Sequence, residues 1–439
     1  MSLRAVAVLV LWPVLLAAPA AARAQAPVLI SASGSAADLD TDASRPVLAA
    51  DRSSGRVLAV WQVRRFTDTS VAFARVLDAR GRPLGPQFAL PGLGLTTTAF
   101  AVAARPGGGW VVVAGVERAN RSTRIVSVAV SCHGVPQGAR SVSAAAPSAG
   151  AGVATPAVAF DRGSGRGLIA WFLDASSGAP RRGGVYVRPV SRGARPAGPA
   201  HMVAAAPRGA RHIGGGVTLG FSGRARRWLA VWQQDVGYRD GNRRVTTNLY
   251  SRGLRADGRG FGARHGLGLA AGRAPLLIPA TRASRAVVVF AQESFDGARR
   301  LKLVRLDAGG AKIAGSTAVV GTAREPLADT SPQILPDGDG GRATLYYAQP
   351  CAPVGHGACP RYVPVLGQKL DRTGAPRGRP VTIAPRAIGG AISVVATGAR
   401  SALFAWEAAA VEGMPAFDDT AMRTVFPQKG EIAVAPLAR

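Results

Sequence analysis

The chain has 439 residues and carries 54 Lys and Arg against 25 Asp and Glu, a formal net charge of +29. Gly (55) and Pro (31) punctuate it throughout, which favours many turns over long helices. After Ala24 no segment has the roughly 20 consecutive apolar residues of a membrane-spanning helix.

The N-terminus reads Met1-Ser-Leu-Arg4, runs apolar from Ala5 to Ala18 and ends in small residues at Ala22 and Ala24. A short positive start, an apolar run and an Ala-x-Ala end describe a secretory leader. Residues 1–24 are therefore expected as a signal peptide, 25–45 as an N-terminal segment and 46–439 as the folded repeats. Within 25–45, Pro27–Ala32 reads as one extra strand.

The first repeat opens with a strand at Pro46–Ala50, a tight turn at Asp51–Gly55 and an apolar strand at Val57–Trp61. A loop at Gln62–Ser70 follows, then a strand at Val71–Leu77, a turn at Asp78–Gly81 and a strand at Pro86–Leu90. The apolar second strand recurs as Gly109–Ala114, Arg166–Trp171, Arg227–Trp232, Arg285–Phe290, Arg342–Tyr347 and Ser401–Trp406. Its last residue falls at 61, 114, 171, 232, 290, 347 and 406, a near-constant period that marks a repeat architecture. The second turn recurs in the same register at Ser131–Gly134, Ser191–Gly193, Arg255–Gly258, Asp307–Gly310, Asp371–Gly374 and Pro427–Gly430.

Antiparallel four-stranded units in series, with no helical segment between them, predict an all-β chain folded as a β-propeller. Seven blades are expected, and six with an irregular seventh unit is the alternative. Pairing of Pro27–Ala32 with Glu431–Ala435 would close such a ring. The pattern of apolar strand, Asp-x-x-x-Gly, Val-x-Trp-Gln, loop, strand and Asp-x-x-Gly resembles a broad group of bacterial secreted β-propellers. The resemblance runs from about Pro46 to the C-terminus and implies architecture and an extracytoplasmic, bacterial setting. The Trp-Asp blade ends, paired-Gly signatures and Asp boxes of other propeller groups are absent.

In a propeller the turns joining strands one and two, and three and four, share one face. Here those turns are short, whereas Gln62–Ser70, Phe172–Gly184, Gln233–Val245, Gln349–Pro364 and Glu407–Met422 on the other face vary in length. Variable loops on a rigid scaffold describe a binding surface. Polar residues follow the second strand at Gln62, Gln233, Asp235, Gln292, Glu293 and Glu407, which are the candidate ligand-binding residues. These side chains would hydrogen-bond a ligand or satisfy strand-end backbone groups. The expected role is a binding or scaffold module for an extracellular glycan, an anionic polymer or a protein. The alternative is a carbohydrate-active hydrolase or lyase, which needs two carboxylates flanking the bond.

No nucleophile elbow, His-Glu-x-x-His or phosphate loop is present, so no catalytic residue is assigned. The five His are dispersed, and Asp38–Asp42 and Asp337–Asp339 lack the full ligand set of a calcium loop, so neither metal nor cofactor is expected. Cys351 and Cys359 flank one Pro/Gly-rich loop and are expected to form a disulfide, with zinc as the rival reading. Cys132 is expected as a buried free thiol on a strand. Only Lys302, Lys312, Lys369 and Lys429 are lysines, so arginine carries the charge; it attracts polyanions as a general field, with no specific nucleic-acid partner implied. A monomer is expected.

Overall fold

The structure is a computed structural model that describes residues 28–29, 31, 41–65, 70–93, 96–117, 123–143, 156–173, 183–205, 216–222, 226–239, 244–270, 275–278, 286–293, 299–320, 333–336, 343–348, 362–371, 375–388, 392–398, 401–409 and 430–438. Every regular element among them is a strand. A short N-terminal strand, β1 (Val28–Leu29), is followed by blade one: β2 (Thr41–Asp51), β3 (Arg56–Arg65), β4 (Ser70–Leu77) and β5 (Phe88–Ala89). Blade two is β6 (Thr96–Ala104), β7 (Trp110–Glu117), β8 (Thr123–Val130) and β9 (Arg140–Ser141), and blade three is β10 (Ala157–Phe160), β11 (Gly167–Leu173), β12 (Gly184–Val190) and β13 (His201–Ala205). Blade four is β14 (Val217–Ser222), β15 (Arg227–Arg239), β16 (Arg244–Leu254) and β17 (Gly260–Ala270). Blade five is β18 (Leu276–Ile278), β19 (Ala286–Glu293), β20 (Arg299–Leu306) and β21 (Ala318–Val320). Blade six is β22 (Gln333–Pro336), β23 (Ala343–Ala348), β24 (Tyr362–Leu370) and β25 (Pro376–Ile388). The chain ends with β26 (Ile392–Ala396), β27 (Ser401–Ala409) and β28 (Gly430–Ala438).

Each blade is an antiparallel meander in chain order, except the last, whose order is β1-β28-β27-β26. There β1 supplies the outermost strand, with Val28 opposite Val434 and Leu29 opposite Ala433. A single parallel bridge from Ser70 to Thr96 links blade one to blade two.

The core is a ring of interfaces, each built from two neighbouring blades. Leu58 and Val60 pack with Trp110, Val112 and Ala114 between blades one and two. Val57, Ala59 and Trp61 on the opposite side of the same strand pack with Leu403, Ala405 and Val434 of blade seven. Equivalent clusters join blades two and three, three and four, four and five, five and six, and six and seven. Both faces of each second strand are thus buried, which explains why these strands read as unbroken apolar runs and not as alternating patterns. Seven such interfaces close the ring, so the seven-bladed reading holds over the six-bladed one.

The short turns are self-satisfied. Asp78 Oδ1 accepts from the N–H groups of Arg80 (2.8 Å) and Arg82 (2.9 Å), while Gly81 N–H donates to Asp78 O at 3.1 Å. Gly81 has φ 85°, and a methyl there would meet Val434 Cγ1 at 3.0 Å and Leu403 Cδ2 at 3.2 Å. The turn therefore packs on the preceding blade, and both backbone and space call for glycine. In blade three the same left-handed position falls on Ala194 (φ 60°), one residue beyond Gly193.

A recurring polar stitch was not visible in the sequence. Arg75, Arg188 and Arg252, equivalent on the third strands, donate from Nε to the carbonyls of Gly85 (2.8 Å), Gly198 (2.9 Å) and Gly262 (3.0 Å). Gln368 does the same to Gly378 O at 3.3 Å in blade six. Arg188 and Arg252 also reach back one blade, donating from Nη1 to Val142 O (2.5 Å) and Val203 O (2.7 Å).

Two expectations are corrected. The apolar second strands run on as polar hairpin legs: β3 reaches Arg65 and β15 reaches Arg239, so the loops expected from Gln62 and Gln233 begin several residues later. Cys132 lies not on a strand but in the turn after β8, half-exposed, where its carbonyl accepts from Arg56 Nη1 of blade one at 2.8 Å. Cys351, Cys359, residues 1–24 and Asp337–Asp339 lie outside the described residues. Among the described residues no helix is long and apolar enough to cross a membrane.

Candidate functional site

All six candidate residues follow the apolar stretch of the second strands, on the side away from the short turns. Gln62 is opposite Ala72 and Ser44 in blade one. Gln233 is opposite Leu249, and Asp235 opposite Thr247, in blade four. Gln292 and Glu293 are opposite Arg300 and Arg299 in blade five, and Glu407 is opposite Ile432 in blade seven. The backbone therefore brings an amide or a carboxylate from four blades to the same face. The side chains of Asp235, Glu293 and Glu407 lie outside the described residues.

Strand alternation gives each described side chain its direction. Leu229 and Val231 pack toward blade five, so Gln233, two residues on, lies on that same side. It is 1% exposed, and its Nε2 has no hydrogen-bond partner among the described residues. A buried amide donor without an acceptor costs about 1–3 kcal/mol, so a group that fills this need at the strand end is favoured. Gln62 is likewise buried, and Gln292 is half-buried.

Gln234 was not singled out from the sequence, and it has a structural job. Its Oε1 accepts from Trp232 Nε1 at 3.4 Å, and its Nε2 donates to Ala205 O at 3.2 Å at the end of blade three's outer strand. It ties two blades together beneath the candidate site. Only its place two residues beyond a tryptophan hinted at this.

The described acidic side chains are elsewhere: Asp51, Asp78, Asp161, Asp257, Asp307 and Asp371 all belong to the short-turn face. Among the described residues no group of three His, Cys, Asp or Glu could hold a metal ion.

The fold and this arrangement define a seven-bladed, all-β propeller with a polar strand-end face. No family model matches the chain, and no curated protein matches it significantly. Among solved structures, an alpha-L-arabinofuranosidase from Lactobacillus brevis aligns at 12% identity with a TM-score of 0.35, over 64% of this chain and 90% of that one. Hadza microbial sialidase Hz136 aligns at 11% identity and a TM-score of 0.46, over 87% of this chain and 76% of that one. The tricorn protease aligns at 10% identity and a TM-score of 0.46, over 90% of this chain and 36% of that one. At such identities these are likenesses of fold alone.

Proposed function

We propose that the chain is an exported propeller that recognises a glycan on the hairpin face, at the ends of β15, β19 and β27. The carrying observation is the register, which sets Asp235 and Glu293 each three residues beyond the equivalent Trp232 and Phe290 of adjacent blades, with Gln233 and Gln292 close by in sequence and Glu407 one residue beyond Trp406 in blade seven. Amides offer donors and acceptors together, and carboxylates offer strong acceptors, the complement that sugar hydroxyls require. The leader-like N-terminus supports export.

Binding to a glycan array at low and moderate salt tests this. Recognition of a glycan that survives added salt and falls about tenfold or more in Asp235→Asn and Glu293→Gln is the expected result. Binding that collapses with salt, or that both variants retain, would overturn it.

A second reading, hydrolysis of the bound glycan, draws on the same register. Carboxylate-bearing positions from three separate blades share this face, and two carboxylates flanking the bond are what glycosidic hydrolysis requires. Release of nitrophenol from aryl glycosides, lost in Glu407→Gln while glycan binding persists, would select this reading. Binding without turnover would leave recognition as the function.

A further inference from the structure

The opposite face is made of the short turns, and over blades one to three it is crowded with arginine. Arg52 follows Asp51 in the inner turn of blade one, Arg105 opens that of blade two, and Arg162 follows Asp161 in that of blade three. Arg192, from the outer turn of blade three, lies across the inner turns of two blades. A methyl added at Gly107 would meet its Nη1 at 3.0 Å, and one at Gly165 its Nε at 3.3 Å. Glycines with φ +87° and +72° thus leave the room in which this guanidinium lies.

The carboxylates on this face are already engaged by turn donors. Asp51 Oδ1 accepts from Ser53 N (3.0 Å) and Ser53 Oγ (2.6 Å), and its Oδ2 from Ser54 Oγ (2.8 Å) and Gly109 N (3.0 Å). Asp161 accepts from Gly163 N (2.9 Å), Ser164 Oγ (2.6 Å) and Ser164 N (3.3 Å). Arg52, Arg162 and Arg192 make no ion pair with another described residue. Arg162 keeps contact with solvent, yet desolvation by its neighbours, and then the positive charge of Arg52, pull it below its ordinary value, with Asp51 acting the other way. Like charges gathered on one face raise the energy of the free protein, and an anion bound there relieves it.

We propose that the turn face of blades one to three binds an acidic polysaccharide, gripped by Arg52, Arg162 and Arg192. Guanidinium forks match carboxylate and sulfate oxygens in pairs. Cations supplied by separate blades call for a ligand with several anionic groups along a chain. Nucleic acid fits less well: the exposed large apolar side chains are Leu84, Val135, Met202, Leu269, Val319 and Val381, so among the described residues no Phe, Tyr or Trp stands out as a stacking platform for bases. The inference concerns the face opposite the proposed glycan site and stands whether or not that site binds sugar.

The test titrates the chain with polygalacturonate and with dextran sulfate at about 0.15 M ionic strength. Arg52→Gln/Arg162→Gln and, separately, Arg192→Gln are compared with Arg377→Gln/Arg379→Gln. The last removes the same charge as the first, from the exposed outer strand of blade six. The turn-face variants should bind at least about tenfold more weakly, and the blade-six double within about threefold of the parent chain. Equal loss in the two doubles would reduce the effect to a general field and overturn the proposal. So would no binding, tighter binding to poly(dT), or capture only by phosphatidylglycerol vesicles.

Discussion

The backbone N–H of Leu48 donates to Ser393 Oγ at 2.9 Å, joining residues 345 apart in sequence. Leu48 lies on the innermost strand of blade one and Ser393 on that of blade seven, so this bond is part of the ring closure. It acts with the pairing of β1 on β28 at the outer rim and the cluster of Trp61, Leu403 and Val434 between them. Both partners of the bond are buried.

Ser393→Ala should therefore leave the Leu48 N–H enclosed without an acceptor and destabilise the fold by about 1–3 kcal/mol. Denaturant unfolding would show a lower midpoint with an unchanged slope, since the surface exposed on unfolding is the same. A midpoint equal to that of the parent chain would mean that the bond adds nothing to closure.

Asp51 provides a pH test. Burial opposes its ionisation, but the hydrogen bonds from Ser53, Gly109 and Ser54 outweigh burial and hold the carboxyl below its ordinary 3.8. A carboxylate with a lowered folded value contributes stability that is fully present above 3.8 and is lost as pH falls through the folded value. Asp51→Asn should thus be less stable than the parent chain at neutral pH, with the gap closing below pH 3.8. A stability difference that stays constant through that range would refute the assignment.

The architecture was legible because turns and second strands repeat in phase. Arg56–Trp61 and Asp78–Gly81 mark their blade, and their copies mark the others. Where a strand stops was less legible: Val63 and Arg64 extend β3 by pairing with Val71 and Ser70, and Arg65 by pairing with Thr41, which apolar patterning does not report. Ala194 was missed as the left-handed residue because Gly193 beside it is the better candidate by conformational freedom alone. For the candidate site, the polar positions after the apolar runs could be read but the enclosure of Gln233 could not, since it depends on the neighbouring blade. The turn-face arginines were hidden in the overall charge, because their grouping comes from three blades meeting around an axis.

Arg188 links three segments through Gly198 O and Val142 O, the latter on the preceding blade. Arg188→Ala should remove both bonds and the packing of the side-chain stem, at a cost of about 2–3 kcal/mol. Arg188→Gln, which copies the Gln368 contact to Gly378, should restore about half of that by keeping the bond within the blade. Equal losses in the two variants would assign the effect to the inter-blade bond alone. Thermal unfolding followed by circular dichroism would distinguish these outcomes.

Trp61 and Trp232 occupy the same place in blades one and four, yet their indole N–H groups differ. Trp232 Nε1 donates to Gln234 Oε1, two residues along the strand, whereas Trp61 Nε1 is buried with no partner among the described residues. The difference follows from sequence, since the residue two beyond Trp61 is Val63. Gln234→Val should copy the blade-one arrangement into blade four. It would orphan Trp232 Nε1, release Ala205 O and cost about 1–3 kcal/mol. The reverse change, Val63→Gln, supplies an acceptor to an unpartnered donor while giving up half-buried apolar surface, so it should fall within about 0.5 kcal/mol of the parent chain. The asymmetry between the two is the measurement. Equal destabilisation by both would show that the residue after next matters for packing and not for the indole.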